Sequence, residues 1–477
     1  MNTLYWHDYE TWGINPAIDR PSQFAGMRTD EELNVIGEPL LIYCRPPDDI
    51  LPHPEACLVT GQTPQHIRDH GVGEAEFIAR IEREFSRAGT CALGYNSLRF
   101  DDEVTRYSLY RNYFDPYERE WRNGNSRWDI IDMTRLVYAL RPDGIEWPQQ
   151  DGRPSFRLEN LTAANGISHG AAHDALADVE ATIQFARLLR TKKPDLYHYI
   201  YTHRSKQAAA AMIDIRARKP VLHISSRFAA EQGCAALVVP LALHATNKNS
   251  VIAFDLSAPP DALEQLSAED IAARVFTATD DLPDGQARIP LKQIHLNKCP
   301  ILLPARMLDE KVAKRLGIDR ERCERHWQKI LKMELEFKVR EVFAQQTWPS
   351  RTDPEQRLYE GFCNDSDKNL MRTLRREGFG QGEYYFDDER LNGLLLPYKA
   401  RNYPQALSAT ERAEWREHCA RRLRYGEEGI QSLAQFRQRV ADLQSRAGLS
   451  ERDRGLLTSL MQYGDALAQR FLGESTC

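Results

Sequence analysis

The stretch Tyr5-Trp-His-Asp-Tyr-Glu-Thr11 decides the reading of this chain. Leu4, Tyr5 and Trp6 form an apolar run that reads as a buried strand, and side chains two residues apart on a strand point to one face. Asp8 and Glu10 therefore project together. Two other places carry matching chemistry: Asp101 in Asn96-Ser-Leu-Arg-Phe-Asp101, and His173 with Asp178 in His-Asp-Ala-Leu-Ala-Asp. Four carboxylates in one pocket would repel each other and raise each other's pKa unless cations neutralised them. Hard divalent ions prefer such oxygen clusters, so the set predicts Mg²⁺ or Mn²⁺ and points to two-metal phosphodiester chemistry.

Taken singly, each piece has an ordinary explanation. Asp-x-Glu is usually a solvated strand end, and a lone histidine such as His173 is usually a surface or helix-entry residue. Asp174 suits the N-cap of a helix running through Leu176, Val179, Ile183 and Phe185. Asp101, Asp102 and Glu103 suit a helix start, where the dipole favours acids. The three places in order carry the argument. In that order they resemble the DEDDh exonucleases, which have four metal-binding acids and a histidine: Asp8-Tyr-Glu10-Thr11-Trp-Gly13 fits the first motif, Asn96-x-x-x-Phe100-Asp101 the second and His173-x-x-x-x-Asp178 the third. Val59-Thr-Gly-Gln-Thr-Pro64 fits the turn common between the first two.

A narrower resemblance, to the bacterial exonuclease I family, runs from residue 1 to about 475. It rests on Asp19-Arg-Pro-Ser-Gln-Phe-Ala25, Gly94 to Arg106, Asn125-Ser-Arg-Trp-Asp129, Pro154-Ser-Phe-Arg-Leu-Glu159, Asn297-Lys-Cys-Pro300 and Tyr398-Lys-Ala-Arg-Asn-Tyr-Pro404. The C-terminal third matches more loosely. The resemblance implies an α/β ribonuclease H-like exonuclease domain over 1–192, an SH3-like α+β domain over 195–347 and an α-helical C-terminal domain over 350–475. It also implies a 3′-to-5′ exodeoxyribonuclease that degrades single-stranded DNA to nucleoside 5′-monophosphates in repair and recombination. Asp8, Glu10 and Asp178 would hold a first Mg²⁺, Asp101 a second, and Mn²⁺ would substitute. His173 would be the general base, because imidazole titrates near working pH.

The expected substrate contacts are cations and aromatics. Arg106, Arg135 and Arg157 resemble family positions near the DNA, with Arg157 at the terminal nucleotide, and Glu10 reaches the 3′ hydroxyl. Tyr117 and Trp121 offer faces on which bases of any sequence can stack. Lys206, Asn249 and Lys298 are further candidates. The family resemblance also implies a partner, the acidic, Phe-ending tail of single-stranded DNA-binding protein, with Arg141, Tyr199 and Lys219 in matching contexts.

Composition limits the classes. A length of 477 residues suggests about three domains. The chain opens Met-Asn-Thr-Leu-Tyr-Trp and reaches Asp8 at once, unlike a signal peptide, and it has no apolar run of membrane-spanning length. Nine scattered cysteines without a Cys-x-x-Cys pair indicate neither zinc nor a disulfide framework, so a reducing cytoplasm is expected. The net charge of −6 requires any DNA-binding surface to be local. A monomer is expected, since three domains of one chain need no partner subunit.

Periodicity predicts strands at Leu4 to Glu10, Val35 to Tyr43 and Ala92 to Tyr95, and helices at Glu76 to Arg87, Ile130 to Leu140 and Asp174 to Leu189. A β-rich stretch follows at Val221 to Ser225, Ala236 to Leu243, Val251 to Asp255 and Ile289 to His295. Asn247 to Asn249 reads as a hairpin turn, and Asp319 to Phe343 as a long helical stretch. Beyond 350 the pattern is helical, with a capping box at Ser408 to Glu411 and a core stripe of Leu433, Phe436, Val440 and Leu443. A proofreading or RNA exonuclease would be little more than the first domain. A catalytically inactive nucleic-acid adaptor would not need all five site residues.

Overall fold

Strand β1 (Thr3–Thr11) buries Leu4 through His7 on both faces, so it sits inside a sheet. β2 (Pro21–Thr29) runs antiparallel to it, placing Ala25 opposite Asp8 and Gln23 opposite Glu10. β3 (Leu40–Tyr43) pairs with β2, and β4 (Thr90–Gly94) lies parallel to β1, giving the order β3-β2-β1-β4. A parallel neighbour needs a crossover. The helix Glu74–Phe85 leads into β4 and buries Phe77, Ile78, Ile81 and Phe85 against Tyr5, Tyr9 and Phe24.

The computed structural model describes residues 2–170, 174–346, 350–380 and 382–473. The chain divides into two units, one of residues 1–126, 169–180 and 350–477, the other of residues 127–168 and 181–349.

In the first unit, the helices Ala409–Tyr425, Leu433–Gln444 and Glu451–Leu472 build a second core, and the predicted stripe of Leu433, Phe436, Val440 and Leu443 lies in it. Ser408 and Glu411 form the predicted capping box. Beside that core is a buried ion-pair network. Arg401 bridges Asp49 at 2.6 Å and Glu355 at 2.5 Å, and Arg422 bonds Asp49 at 2.7 Å and Asp353 at 2.5 Å. Arg20 reaches Glu355 at 2.8 Å, and Arg111 holds Glu74 at 2.6 Å.

In the second unit, five antiparallel strands run in the order Leu291–His295, Ser250–Asp255, Ala235–Leu243, Val221–Ile224, Ile301–Pro304. The predicted turn at Asn247 to Asn249 joins two of them, with the Asn249 amide donating to the Asn247 side chain.

Two sequence expectations need correction, and one strand lies where none is expected. Of the predicted strand from Val35 to Tyr43 only Leu40–Tyr43 is extended in the sheet, because left-handed residues at Leu33 and Gly37 turn the chain beforehand. The strand β2 went unpredicted, since all nine of its residues are buried and no polar alternation marks it. The stretch from Asp319 to Phe343 is two helices, Arg320–Ile330 and Glu336–Ala344. Arg218 donates to the carbonyls of Ile330 and Met333 between them. Carbonyls turned to a side chain no longer propagate the helix. Among the described residues, no helix is long and apolar enough to cross a membrane.

Candidate metal centre

Asp8 and Glu10 share one face of β1, as their spacing requires. The helix Ala175–Lys192 brings Asp178 to them from its first turn, and Asp174 caps that helix by accepting from the Ala177 amide at 3.2 Å. Ligand oxygens of Asp8, Glu10 and Asp178 all lie within 4.8 Å of one another. Asp101 opens the helix Asp101–Arg111 after the left-handed Asn96 (φ 64°). It is buried and accepts the Tyr9 amide at 3.0 Å, which ties its carboxylate to the backbone between Asp8 and Glu10.

The electrostatics follow from this crowding. Burial, then repulsion from Asp101, Glu10 and Asp178, holds the Asp8 carboxyl well above the usual carboxylate range. Burial, with Asp178 and Asp101 beside it, pushes Glu10 up to about 9. Such a site is stable and ionised only with added positive charge. The donors are all carboxylate oxygens, which fits a hard divalent cation rather than a thiolate- or imidazole-seeking one.

A polar rim surrounds the acids. Gln23, opposite Glu10, donates to Asp174 at 3.1 Å and accepts from Gln62 at 2.8 Å. Sequence reading gave neither glutamine a role, although both fall in quoted stretches. His169 Nε2 contacts the Asp178 carboxylate, a pairing nine residues apart that the motif spacing did not flag. His173, expected as general base, lies outside the described residues.

The other expected residues fall in both units. In the first unit, Arg106 is buried and committed to Glu120 at 2.7 Å and Glu103 at 2.8 Å, and its guanidinium lies 5.5 Å from the Tyr117 ring centroid. Tyr117 is half-buried beside Phe362, while Trp121 is 64 % exposed. In the second unit, Arg135 is buried and bonded to Asp132 at 2.6 Å, whereas Arg157 is exposed at the start of the helix Leu158–Ala164. Lys206 and Lys298 are exposed and Asn249 half-buried. Arg141 and Lys219 are exposed, and Tyr199 stacks on His203 at 4.1 Å while donating to the Leu302 carbonyl.

Comparison with known proteins accounts for nearly the whole chain. Three family models match in succession: Exonuclease over residues 5–186, Exonuclease I SH3-like domain over 204–345 and Exonuclease I C-terminal domain over 352–467. Exodeoxyribonuclease I of Escherichia coli (strain K12) is 45% identical over 474 residues, covering 98% of either chain. Among solved structures, a moderately thermophilic Exonuclease I from Methylocaldum szegediense superposes with a TM-score of 0.94 at 48% identity, covering 98% of this chain and 100% of that one. E. coli Exonuclease I in complex with a dA16 oligonucleotide gives 0.94 at 42% identity with the same coverage.

Proposed function

The chain belongs to the exonuclease I family, and we propose on that premise that it removes nucleotides from the 3′ end of single-stranded DNA, releasing nucleoside 5′-monophosphates by two-metal hydrolysis. The observation that carries this reading is the convergence of Asp8, Glu10 and Asp178 within 4.8 Å, with Asp101 tethered at Tyr9. We assign Asp8, Glu10 and Asp178 to one Mg²⁺ and Asp101 to a second, with Mn²⁺ as a substitute. Bound there, the cations supply charge stabilisation at the phosphate and a lowered pKa for the attacking water.

The protein's own groups do the rest. Asp8 and Glu10 are fixed by β1, so the carboxylates need little reorganisation when they ionise. The Asp101 carboxylate is held by a backbone amide, and the Asp174 carboxylate by Gln23. His173 is assigned the proton from the attacking water. Glu10 and Arg157 are assigned to the terminal nucleotide, and Trp121, Tyr117, Lys206, Asn249 and Lys298 to the strand. Arg106 and Arg135 are assigned to the strand as well, each with its guanidinium oriented by an ion pair, to Glu120 and Asp132 respectively. A fraying cost of roughly 1.4 kcal/mol per step would make duplex ends poor substrates.

We also place the domain boundaries after 192 and 347, the protein in the cytoplasm as a monomer, and its work in repair and recombination. Arg141, Tyr199 and Lys219 are proposed to receive the tail of single-stranded DNA-binding protein. The deciding experiment uses end-labelled single-stranded DNA with Mg²⁺. A 3′ block should stop degradation and a 5′ block should not. Cutting of a closed circle, or consumption of a 3′-blocked strand, would overturn the reading.

A further inference from the structure

The first unit contains a cavity of about 560 Å³ that includes none of the four acids above. Its wall is unusual for a chain of net charge −6. Arg45, Arg412 and Arg416 line it, and each bonds only backbone carbonyls among the described residues, those of Gly71, Leu407 and Arg470. A fourth and fifth arginine, Arg68 and Arg470, share one carboxylate, Asp48, at 2.9 and 2.6 Å. Arg20 and Arg401 at the back are matched by the ion-pair network and leave no surplus. The excess positive charge therefore belongs to Arg45, Arg412 and Arg416, all of them exposed. The same wall carries the exposed Pro404 and the half-buried Phe471, while Trp415 and Leu407 are buried behind them, with His418 stacked on the Trp415 ring at 4.9 Å and the Arg401 guanidinium 5.5 Å from its centroid.

Guanidiniums without carboxylate partners suit phosphate, which they grip through paired N–H donors. A cavity of several hundred Å³ in which arginines alternate with apolar side chains suits a small anionic organic ligand. We propose that this cavity binds a nucleoside 5′-phosphate, with the phosphate on Arg45, Arg412 and Arg416 and the base against Phe471 and Pro404. The existence of the anion site stands on the cavity alone; the choice of a nucleotide rests on the proposed function, which releases that product. A mononucleotide bound here would leave the acid cluster free.

The test is calorimetric titration of dAMP into the full-length protein in EDTA, where the uncompensated acid cluster repels phosphate. Wild type should bind one equivalent. An Arg412→Ala/Arg416→Ala variant should bind about tenfold more weakly, as expected for lost charge-assisted contacts, and a separate Arg45→Ala variant should weaken binding too. Both should keep wild-type melting temperature and nuclease turnover. Deoxyadenosine and inorganic phosphate should each bind more weakly than dAMP. Undiminished dAMP binding in both variants, or no binding in wild type, would overturn the proposal. So would equal binding of inorganic phosphate, which would mark a plain anion site, or Arg-dependent binding of a short acidic peptide but not of dAMP. Failure of the nuclease reading would show separately, as a wild-type protein that binds dAMP and does not degrade DNA.

Discussion

Asp8 and Glu10 on β1, and Asp49 and Glu355 beside the C-terminal helices, are carboxylates in crowded interiors whose ionisation is pushed in opposite directions. Asp8 and Glu10 face other acids and are driven upward. Burial opposes ionisation of Asp49 and Glu355 as well. There, however, Arg401 and Arg422, with Arg20 at Glu355 and His418 at Asp49, hold the carboxyls well below the usual range. One cluster carries its countercharge in the chain, and the other requires it from solution. A complete buried ion-pair network leaves no charge unmatched, so removing any one partner strands the others. An incomplete one is where an external cation can bind.

Removing one acid from each cluster should therefore do different things. Asp8→Ala should lower turnover by more than about 10⁴-fold with Mg²⁺ present, while the metal-free protein melts no lower than wild type because a repulsion has gone. Near-normal turnover in that variant would contradict the mechanism. His173→Ala should cost less, about 10²- to 10⁴-fold in the single-turnover rate, with DNA binding kept. A drop in binding alone would make His173 a substrate contact. Glu355→Ala should strand Arg20, Arg401 and Arg422 and destabilise the protein by about 3–5 kcal/mol in denaturant unfolding, with turnover per folded molecule preserved.

The smallest effect is on pH dependence, and its sign separates the clusters. For Asp49 and Glu355 the folded pKa lies below the unfolded one, so their stabilisation is present above about pH 4.5 and is lost as pH falls through the folded value. For Asp8 and Glu10 the folded pKa lies above the unfolded one, so the metal-free protein loses stability as pH rises from about 4 towards 9. Mg²⁺ should thus raise the melting temperature more at pH 8 than at pH 5. An equal gain at both would place the cation elsewhere.

The two clusters were unequally legible. Asp8 and Glu10 could be paired from strand spacing, and Asp101 and Asp178 from motifs that keep their order along the chain. The ion-pair network draws on positions 20, 49, 74, 111, 353, 355, 401 and 422, and no local period links positions spread over the whole chain. Arg20 and Arg401 both lay within quoted stretches without suggesting each other. The same reason hid Gln23, whose role depends on the pairing of β2 with β1. Local pattern also misjudged 319–343, where Arg218 from a distant segment binds the carbonyls at the break.

The central claim is that the acid cluster takes its countercharge from divalent cations. Mn²⁺ titrated into metal-free protein at pH 8, with free Mn²⁺ followed by electron paramagnetic resonance, tests it directly. Wild type should bind two ions and release protons as Asp8 and Glu10 ionise. An Asp8→Asn/Asp178→Asn variant should lose the ion assigned to Asp8, Glu10 and Asp178, and Glu355→Gln should keep both. Undiminished binding by the Asp8→Asn/Asp178→Asn variant would contradict the account.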